Sequence, residues 1–337
     1  MSRVAVIGAG AWGTGLGIVL GRKRTHQIRL WAREPEVRAS ISSRRVNELF
    51  LPGQEIPESV NATGDIREAM EGAEIVVSAI PSQFCRSTFE HLRRSLTNSM
   101  LFVSATKGLE EQTLLRMTEV ITQVVGSNQR LRVGALSGPS FAKEVARGDP
   151  TAITIASQDA ALAETVQREF SDPRFRVYTN SDVIGVELSG ALKNIIAIAA
   201  GVCHGLGLGH NSVAGLITRG LAEITRLVVA CGGRAETTAG LAGLGDLVLT
   251  CTGDLSRNRS VGVELGRGRR LPEIIASMRG TVAEGVFTTH AALELARSRG
   301  VEMPITEQMD AVLHHDKSPR EAIHELMTRS SKSETGL

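Results

Sequence analysis

Short runs of consecutive apolar residues alternate with longer stretches of mixed polarity through the first half of the chain. The runs Val4–Ile7, Ile28–Trp31, Ile75–Ile80, Leu101–Ala105 and Val133–Leu136 are rich in β-branched residues, which predicts strands. Between them, Ala11–Arg22 and Gln83–Ser95 read as helices. Strands that are apolar on both faces and separated by helices belong to a parallel sheet covered on both sides. Two further β-like runs, Ala152–Ala156 and Arg176–Tyr178, extend that sheet.

Beyond Thr179 the pattern changes. From Val183 onward apolar residues recur at helical spacing and are mostly Ala, Leu and Ile, as in Val186–Val202, Ser212–Ala230, Val286–Ser298 and Pro319–Thr328. The boundary falls at Asn180–Asp182, where Asn, Ser and Asp offer a cap for the next helix. No internal repeat is present, and the polar stretch from Ser330 to Leu337 is expected to fray.

Composition adds limits. A chain of 337 residues exceeds what one hydrophobic core usually serves, so two domains are expected. The formal net charge is +2, from 38 basic and 36 acidic residues, which argues against a general nucleic-acid or membrane-surface role. Recognition of an anion must then come from a few placed cations. Cys85, Cys203, Cys231 and Cys251 form no CxxC pair and read as reduced structural thiols. The apolar run Val4–Leu20 is interrupted by Gly8, Gly10, Gly13, Gly15 and Gly17, so it reads as strand, turn and helix rather than as a signal segment. No later stretch reads as a membrane span, and a soluble, cytoplasmic protein is expected.

The first strand leads into Gly8-Ala9-Gly10-Ala11-Trp12-Gly13, a GxGxxG that opens a helix. Gly8 permits the tight turn, Gly10 lets backbone amides approach a pyrophosphate, and Gly13 lets the helix pack close to the strand. Unpaired N–H groups at the helix N-terminus then face the anion. Alone the motif is weak; after a strand and inside an α/β alternation it predicts a dinucleotide site. The fold class is therefore an α/β Rossmann-like domain with a parallel sheet over residues 1–181, followed by an all-α domain over 182–337. At the end of the second strand the first polar residue is Arg33, a guanidinium suited to a 2′-phosphate, followed by Glu34. NADP(H) is thus the expected cofactor, with NAD(H) as the alternative.

Further chemistry sits in four segments: Ser104–Leu109, Leu136–Glu144, Glu187–Ile195 and Gly243–Arg259. Lys107 and Gly138 follow strands, at the carboxyl edge where open α/β sheets bind ligands. Lys193 lies mid-helix on a face shared with Gly190, Ala197 and Gly201. A lysine on a stripe of small residues has either a ligand beside it or a long stem reaching past a helix contact to solvent. Arg257 and Asn258 read as a polar turn placed to donate to phosphate. His204 and His210 read as loop or packing histidines, and no cluster has metal-ligand spacing.

These segments, from Gly8 to about Glu284, resemble the NAD(P)-dependent glycerol-3-phosphate dehydrogenases; the Leu-Ser-Gly-Pro-Ser-Phe-Ala and Glu-Leu-x-Gly-Ala-Leu-Lys-Asn blocks carry the likeness. The resemblance implies that Ala11, Trp12, Arg33, Lys107, Ala142, Arg257, Val282 and Glu284 meet the cofactor. It places Lys107, Gly138, Ser140, Lys193, Asp246, Ser256, Arg257 and Asn258 around dihydroxyacetone phosphate or glycerol 3-phosphate. Lys193 would donate and accept the proton, with Asn194 and Asp246 beside it. A homodimer and a role in phospholipid synthesis are implied in the same way.

Reduction of a ketone needs a proton for its oxygen, which a lysine can supply as general acid. A free lysine titrates near about 10.4, so burial or a second cation, for which Lys107 is the candidate, is needed to bring it toward neutrality. Asp246 acts in the opposite sense and is assigned orientation. Two alternatives stand: another two-domain dehydrogenase acting on a hydroxy acid or hydroxyacyl substrate, and a dinucleotide-sensing module without turnover. The Ser137–Ala142 block and the Arg257 turn argue against the first, and intact Lys193, Asp246 and Arg257 against the second.

Overall fold

The computed structural model describes residues 2–23, 25–126, 131–278, 283–331 and 333–334. The chain divides into two compact units, Met1–Thr106 with Met117–Val183, and Lys107–Arg116 with Ile184–Leu337.

The first unit is built on strands β1 (Ser2–Ile7), β2 (His26–Trp31), β3 (Val46–Asn47), β4 (Leu51–Glu55), β5 (Val60–Thr63), β6 (Ile75–Ser78), β7 (Leu101–Ser104), β8 (Arg132–Ser137), β9 (Thr151–Ala156) and β10 (Phe175–Asn180). Eight of them form one sheet in the order β10-β9-β8-β7-β6-β1-β2-β5. Neighbours run parallel except β8 and β9, which pair antiparallel with Ala135 opposite Ala156. The parallel sheet expected from the apolar runs is thus parallel-dominated, with one reversal that apolar content cannot signal. Val4, Val6, Ile28, Leu30, Ile75, Val77 and Val103 are buried and form the core with Leu16, Leu20 and Val166 from the covering helices.

Two features escaped the hydrophobic pattern. Strand β5, Val-Asn-Ala-Thr, is a polar edge strand beside β2. Strands β3 and β4 form a separate antiparallel pair with a register shift between Val46 and Asn47, and β4 contains Pro52 and Gly53, which read as loop.

The second unit is helical and wraps the helix Val183–Gly205, which is buried continuously from Gly185 to Cys203. Sequence reading found no span-length segment, yet this helix is long and apolar enough to qualify, with a mean hydropathy of 1.6 over its best window. Protein surrounds 83% of that window, so the helix is a core element. It packs against the helix Arg257–Gly266 with backbones nearly touching. A Cβ on Gly201 would lie 2.0 Å from the Arg259 carbonyl oxygen, and one on Gly262 would lie 1.9 Å from that of Ile198. The small stripe around Lys193 therefore serves, at Gly201, a helix–helix contact.

Two polar anchors tie more distant elements into this unit. Glu223, buried on the helix His210–Ala230, accepts from the backbone amides of Ile305 and Thr306 at 2.9 Å each and from the Thr306 hydroxyl at 2.6 Å. It thereby caps the helix Pro304–His314, whose positive N-terminus suits an anion. Burial pushes its carboxyl upward while these donors pull it back. The excursion Lys107–Arg116 buries Leu109 in the helical core and ends on Arg116, whose guanidinium donates to Glu187 at 2.6 Å.

Because no side chain fits between the two backbones, Gly262→Ala is expected to lower unfolding stability by about 1–3 kcal/mol. Urea denaturation would show this as a reduced midpoint at unchanged slope, and an unchanged midpoint would mean the helices can separate without cost.

Candidate active site

In the helical unit, Lys193 does not reach solvent along the helix. Its side chain is 7% exposed, and its Nζ donates to Asp246 Oδ1 at 2.5 Å and to Thr250 Oγ1 at 2.6 Å. Asp246 and Thr250 lie four residues apart on the helix Asp246–Thr252 and so share a face. The Thr250 hydroxyl donates a hydrogen bond to the Asp246 backbone carbonyl at 2.6 Å, leaving its oxygen to accept from Lys193. The other carboxylate oxygen of Asp246, Oδ2, takes Lys107 Nζ at 2.6 Å. Lys107, Lys193 and Asp246, predicted from three distant segments, thus form one network, and Thr250 is its member that sequence reasoning left out.

Burial is the largest influence on Lys193 and disfavours its ammonium form. Asp246 restores part of that charge and Lys107 opposes it, so the pKa is lowered to about 8. Burial would raise the Asp246 carboxyl, but Lys107 and Lys193 together outweigh it and hold the group below the usual range. Cys251, the next residue after Thr250, is pushed up to about 12 mainly by burial, which keeps it a neutral thiol. An ammonium has three donors, and two of Lys193's are committed, so one remains for a ligand.

A second polar group starts at the next residue of the same helix and reaches the helix Arg257–Gly266. Asn258 Nδ2 donates to Asn194 Oδ1 at 3.0 Å, and Asn258 Oδ1 accepts from Gly285 N at 2.9 Å, beside Glu284. One Asn258 N–H is left for a ligand. The expected polar turn at Arg257 is instead the start of a helix, Arg257–Gly266. Ser256 caps it, its hydroxyl accepting from Arg259 N at 3.2 Å, so part of Ser256's capacity is structural. Polar first-turn residues hid the helix from a hydrophobic reading. Arg257 is exposed and has no hydrogen-bond or ion-pair partner among the described residues; Glu284 is the charge it senses. Val282 lies outside the described residues.

In the first unit, the GxGxxG turn has the geometry its sequence demands. Gly8 has φ +114°, and a Cβ on Gly13 would lie 1.9 Å from the Gly8 carbonyl oxygen. Open space surrounds Gly10, the residue preceding the helix Ala11–Arg22, and no side chain caps that helix. The buried indole Nε1 of Trp12 has no hydrogen-bond partner among the described residues. Unmet first-turn amides with open space before them, and an orphaned donor beside them, fit the pyrophosphate and neighbouring groups of a dinucleotide. Ala142 opens the helix Ala142–Arg147 and lies against Gly15 of the same glycine-bearing helix. Gly138, with φ +141°, presses on Ile153, and Ser140 Oγ donates to the Gly138 carbonyl at 2.8 Å. Arg33 is exposed, pairs with Glu34 at 3.2 Å, and lies 5.8 Å from the centre of the Phe84 ring, a neighbour not foreseen. Among the described residues no group of three or more His, Cys, Asp or Glu is arranged to hold a metal ion.

The chain is similar to known proteins over its whole length. The family model for the N-terminus of NAD-dependent glycerol-3-phosphate dehydrogenase matches residues 3–163, and the model for its C-terminus matches residues 182–324. Glycerol-3-phosphate dehydrogenase [NAD(P)+] of Koribacter versatilis is 67% identical over 100% of both chains. The protein of that name from Acidobacterium capsulatum is 55% identical over 99% of this chain and 100% of its own. The crystal structure of glycerol-3-phosphate dehydrogenase from Coxiella burnetii superposes with a TM-score of 0.92 at 40% identity, covering 97% of this chain and 99% of that one. D-mandelate dehydrogenase, at 12% identity, TM-score 0.64 and coverage of 96% of this chain and 100% of that one, shares the fold alone.

Since Lys107 disfavours the Lys193 ammonium, Lys107→Met is expected to move the Lys193 titration upward from about 8. Carbon-13 NMR of labelled lysine side chains would follow that midpoint. A midpoint that stays or falls would show that Lys107 does not tune Lys193.

Proposed function

The chain belongs to the NAD-dependent glycerol-3-phosphate dehydrogenase family, and we propose on that premise that it interconverts sn-glycerol 3-phosphate and dihydroxyacetone phosphate with NAD(P)(H). The observation that carries this reading is the buried trio of Lys193, Asp246 and Lys107. Ketone reduction requires a proton donor fixed at the carbonyl oxygen, and this network presents one ammonium with a single uncommitted N–H. A dinucleotide held at the glycine turn would supply or remove the hydride that the reaction exchanges.

Lys193 gives its proton to the C2 oxygen in reduction and takes it back in oxidation. Asp246 and Thr250 hold two of its hydrogens, which fixes the direction of the third. Burial, helped by Lys107, keeps the amine at a pKa of about 8, where both directions are accessible. Arg257 grips the phosphate with help from Asn258 and the N-terminus of the helix Arg257–Gly266, and this remote binding energy positions the ketone. Gly138 and Ser140 complete the substrate set. Glu284, Val282 and Ala142 hold the dinucleotide, with Arg257 shared between the two ligands.

Arg33 favours NADP(H). Its pairing with Glu34 is exposed, and such pairs are worth only about 0–1 kcal/mol, so a 2′-phosphate offering two charge-assisted hydrogen bonds displaces it. The same reading makes the protein a cytoplasmic homodimer whose product enters phospholipid synthesis.

The direct test is oxidation of NADPH, followed at 340 nm, with dihydroxyacetone phosphate, then with NADH, then with unphosphorylated dihydroxyacetone. Turnover that needs the phosphate supports the assignment; a folded, NADPH-binding protein without turnover defeats it. Lys193→Ala should lower kcat by about two to four orders of magnitude while NADPH still binds. In the unaltered enzyme, kcat/KM for reduction should fall as pH rises through about 8, because the ammonium is the acid, and kcat/KM for oxidation should rise over the same interval. Arg257→Ala should chiefly raise KM for the phosphorylated substrate, and an unchanged KM would place the phosphate elsewhere.

A further inference from the structure

Asn47 lies far in sequence from the glycine turn and is absent from every motif above, yet its side chain is fully buried against that turn. Its Nδ2 donates to the Ala9 carbonyl at 2.8 Å and to Thr14 Oγ1 at 2.9 Å. Its Oδ1 accepts from Phe50 N at 3.1 Å, and the residue is 0% exposed. Thr14 Oγ1 in turn donates to the same Ala9 carbonyl at 3.2 Å. Both hydrogens of the Asn47 amide are therefore spent on the turn and on the first helical turn after it.

The peptide plane turns this into a directional device. The Ala9 carbonyl and the Gly10 N–H belong to one rigid trans unit and point in opposite directions. Holding the carbonyl on the Asn47 side fixes the N–H to point away from it. Gly10 forms one end of that peptide and Gly8 precedes Ala9, so the local chain restrains its rotation only in part. A distant side chain must supply the restraint. We propose that Asn47 is a positioning residue that orients the Gly10 amide, and with it the first-turn amides, toward the dinucleotide pyrophosphate. This rests on the cofactor reading given above.

Asn47 is itself held rigidly. Arg45, in the left-handed region at φ 55°, directs its guanidinium to the carbonyls of Ile56 at 3.1 Å, Val60 at 2.8 Å and Pro57. Ser40 Oγ donates to the Val46 carbonyl at 2.6 Å. The register of β3 against β4 shifts between Val46 and Asn47, the kind of irregularity that re-aims a side chain next to a binding site. A residue needed only to fill space would not require an amide with both hydrogens and its oxygen bonded.

The test uses the full-length protein. Asn47→Ala and the isosteric Asn47→Asp, which turns a donor into an acceptor, are compared with Thr14→Val and Thr14→Ser. Fluorescence titration gives the Kd for NADPH without turnover, hydrogen exchange reports the amides of Gly10 to Gly13 in the free protein, and initial rates give both KM values. The expected result is an increase of about tenfold in Kd and KM for NADPH in Asn47→Ala, the size of one buried hydrogen bond lost, with KM for dihydroxyacetone phosphate changed less than about twofold. Exchange at those amides should quicken, Asn47→Asp should be at least as impaired, and Thr14→Ser should bind NADPH better than Thr14→Val. An unchanged Kd for NADPH overturns the proposal, as does a rise of both Michaelis constants in step with a lowered Tm. If the Asn47 variants do not fold, the Thr14 pair decides by the same criteria. A wild-type protein that binds no NADPH would defeat the cofactor reading itself, whereas equal binding by wild type and Asn47→Ala defeats only the role of Asn47.

Discussion

Two ammonium groups share one carboxylate where water scarcely reaches, and the helical unit is organised around that arrangement. Asp246 is 1% exposed, with Lys193 at one oxygen and Lys107 at the other. Removing one partner from a buried ion pair typically costs about 3–5 kcal/mol, because the remaining charge is left uncompensated. Asp246 and Lys193 therefore support each other's charge, while Lys107 supports the Asp246 carboxylate and opposes the Lys193 ammonium. With Lys193 protonated the trio carries one positive charge, and with Lys193 neutral it carries none. Movement of one proton thus changes the local charge by a full unit, in a medium that screens it weakly.

Such a site needs a frame that does not relax around it. The helix Val183–Gly205 and the helix Arg257–Gly266 meet in a regular register. Asn194 bonds Asn258, Ile198 meets Gly262, and Val202 meets Gly266, each pair one turn after the last. The glycines bring the backbones together, and the same closeness lets two short asparagine side chains meet at 3.0 Å. Packing and polar chemistry are here one constraint: a wider helix spacing would break the Asn194–Asn258 bond and separate a buried amide oxygen from its buried N–H donor. Lys107 is fixed differently, by an excursion anchored through Leu109 in the core and Arg116 on Glu187.

Much of this was legible in the sequence, for physical reasons. Strands of the central sheet are buried on both faces, so apolar runs mark them directly. The glycine turn shows itself because only glycine tolerates φ +114° at Gly8 and a spacing that would put a Cβ on Gly13 1.9 Å from the Gly8 carbonyl oxygen. Lys193 stood out as a charge among small residues. Polar edge strand β5 and the β3–β4 pair were invisible, since neither buries a continuous apolar face. The helix at Arg257 was mistaken for a turn because its first residues are chosen for their head groups rather than for the core. The reversal between β8 and β9 has no signature in apolar content at all.

What the sequence conceals has a common character. Lys193 and Asp246 belong to local patterns, and each looks misplaced unless it has a partner. Asn47, Thr250 and Glu223 act instead on main-chain groups or on hydroxyls, and every residue offers a backbone carbonyl or amide. A side chain that bonds to backbone therefore leaves no complementary residue to find, however far away its partner lies. Such contacts also resist exchange, because a carbonyl cannot be substituted to follow a changed partner. The positions hardest to read from composition and spacing are for that reason the ones with the least freedom, and here they hold the two sets of donors, backbone amides in the α/β unit and ammonium groups in the helical unit, in fixed directions.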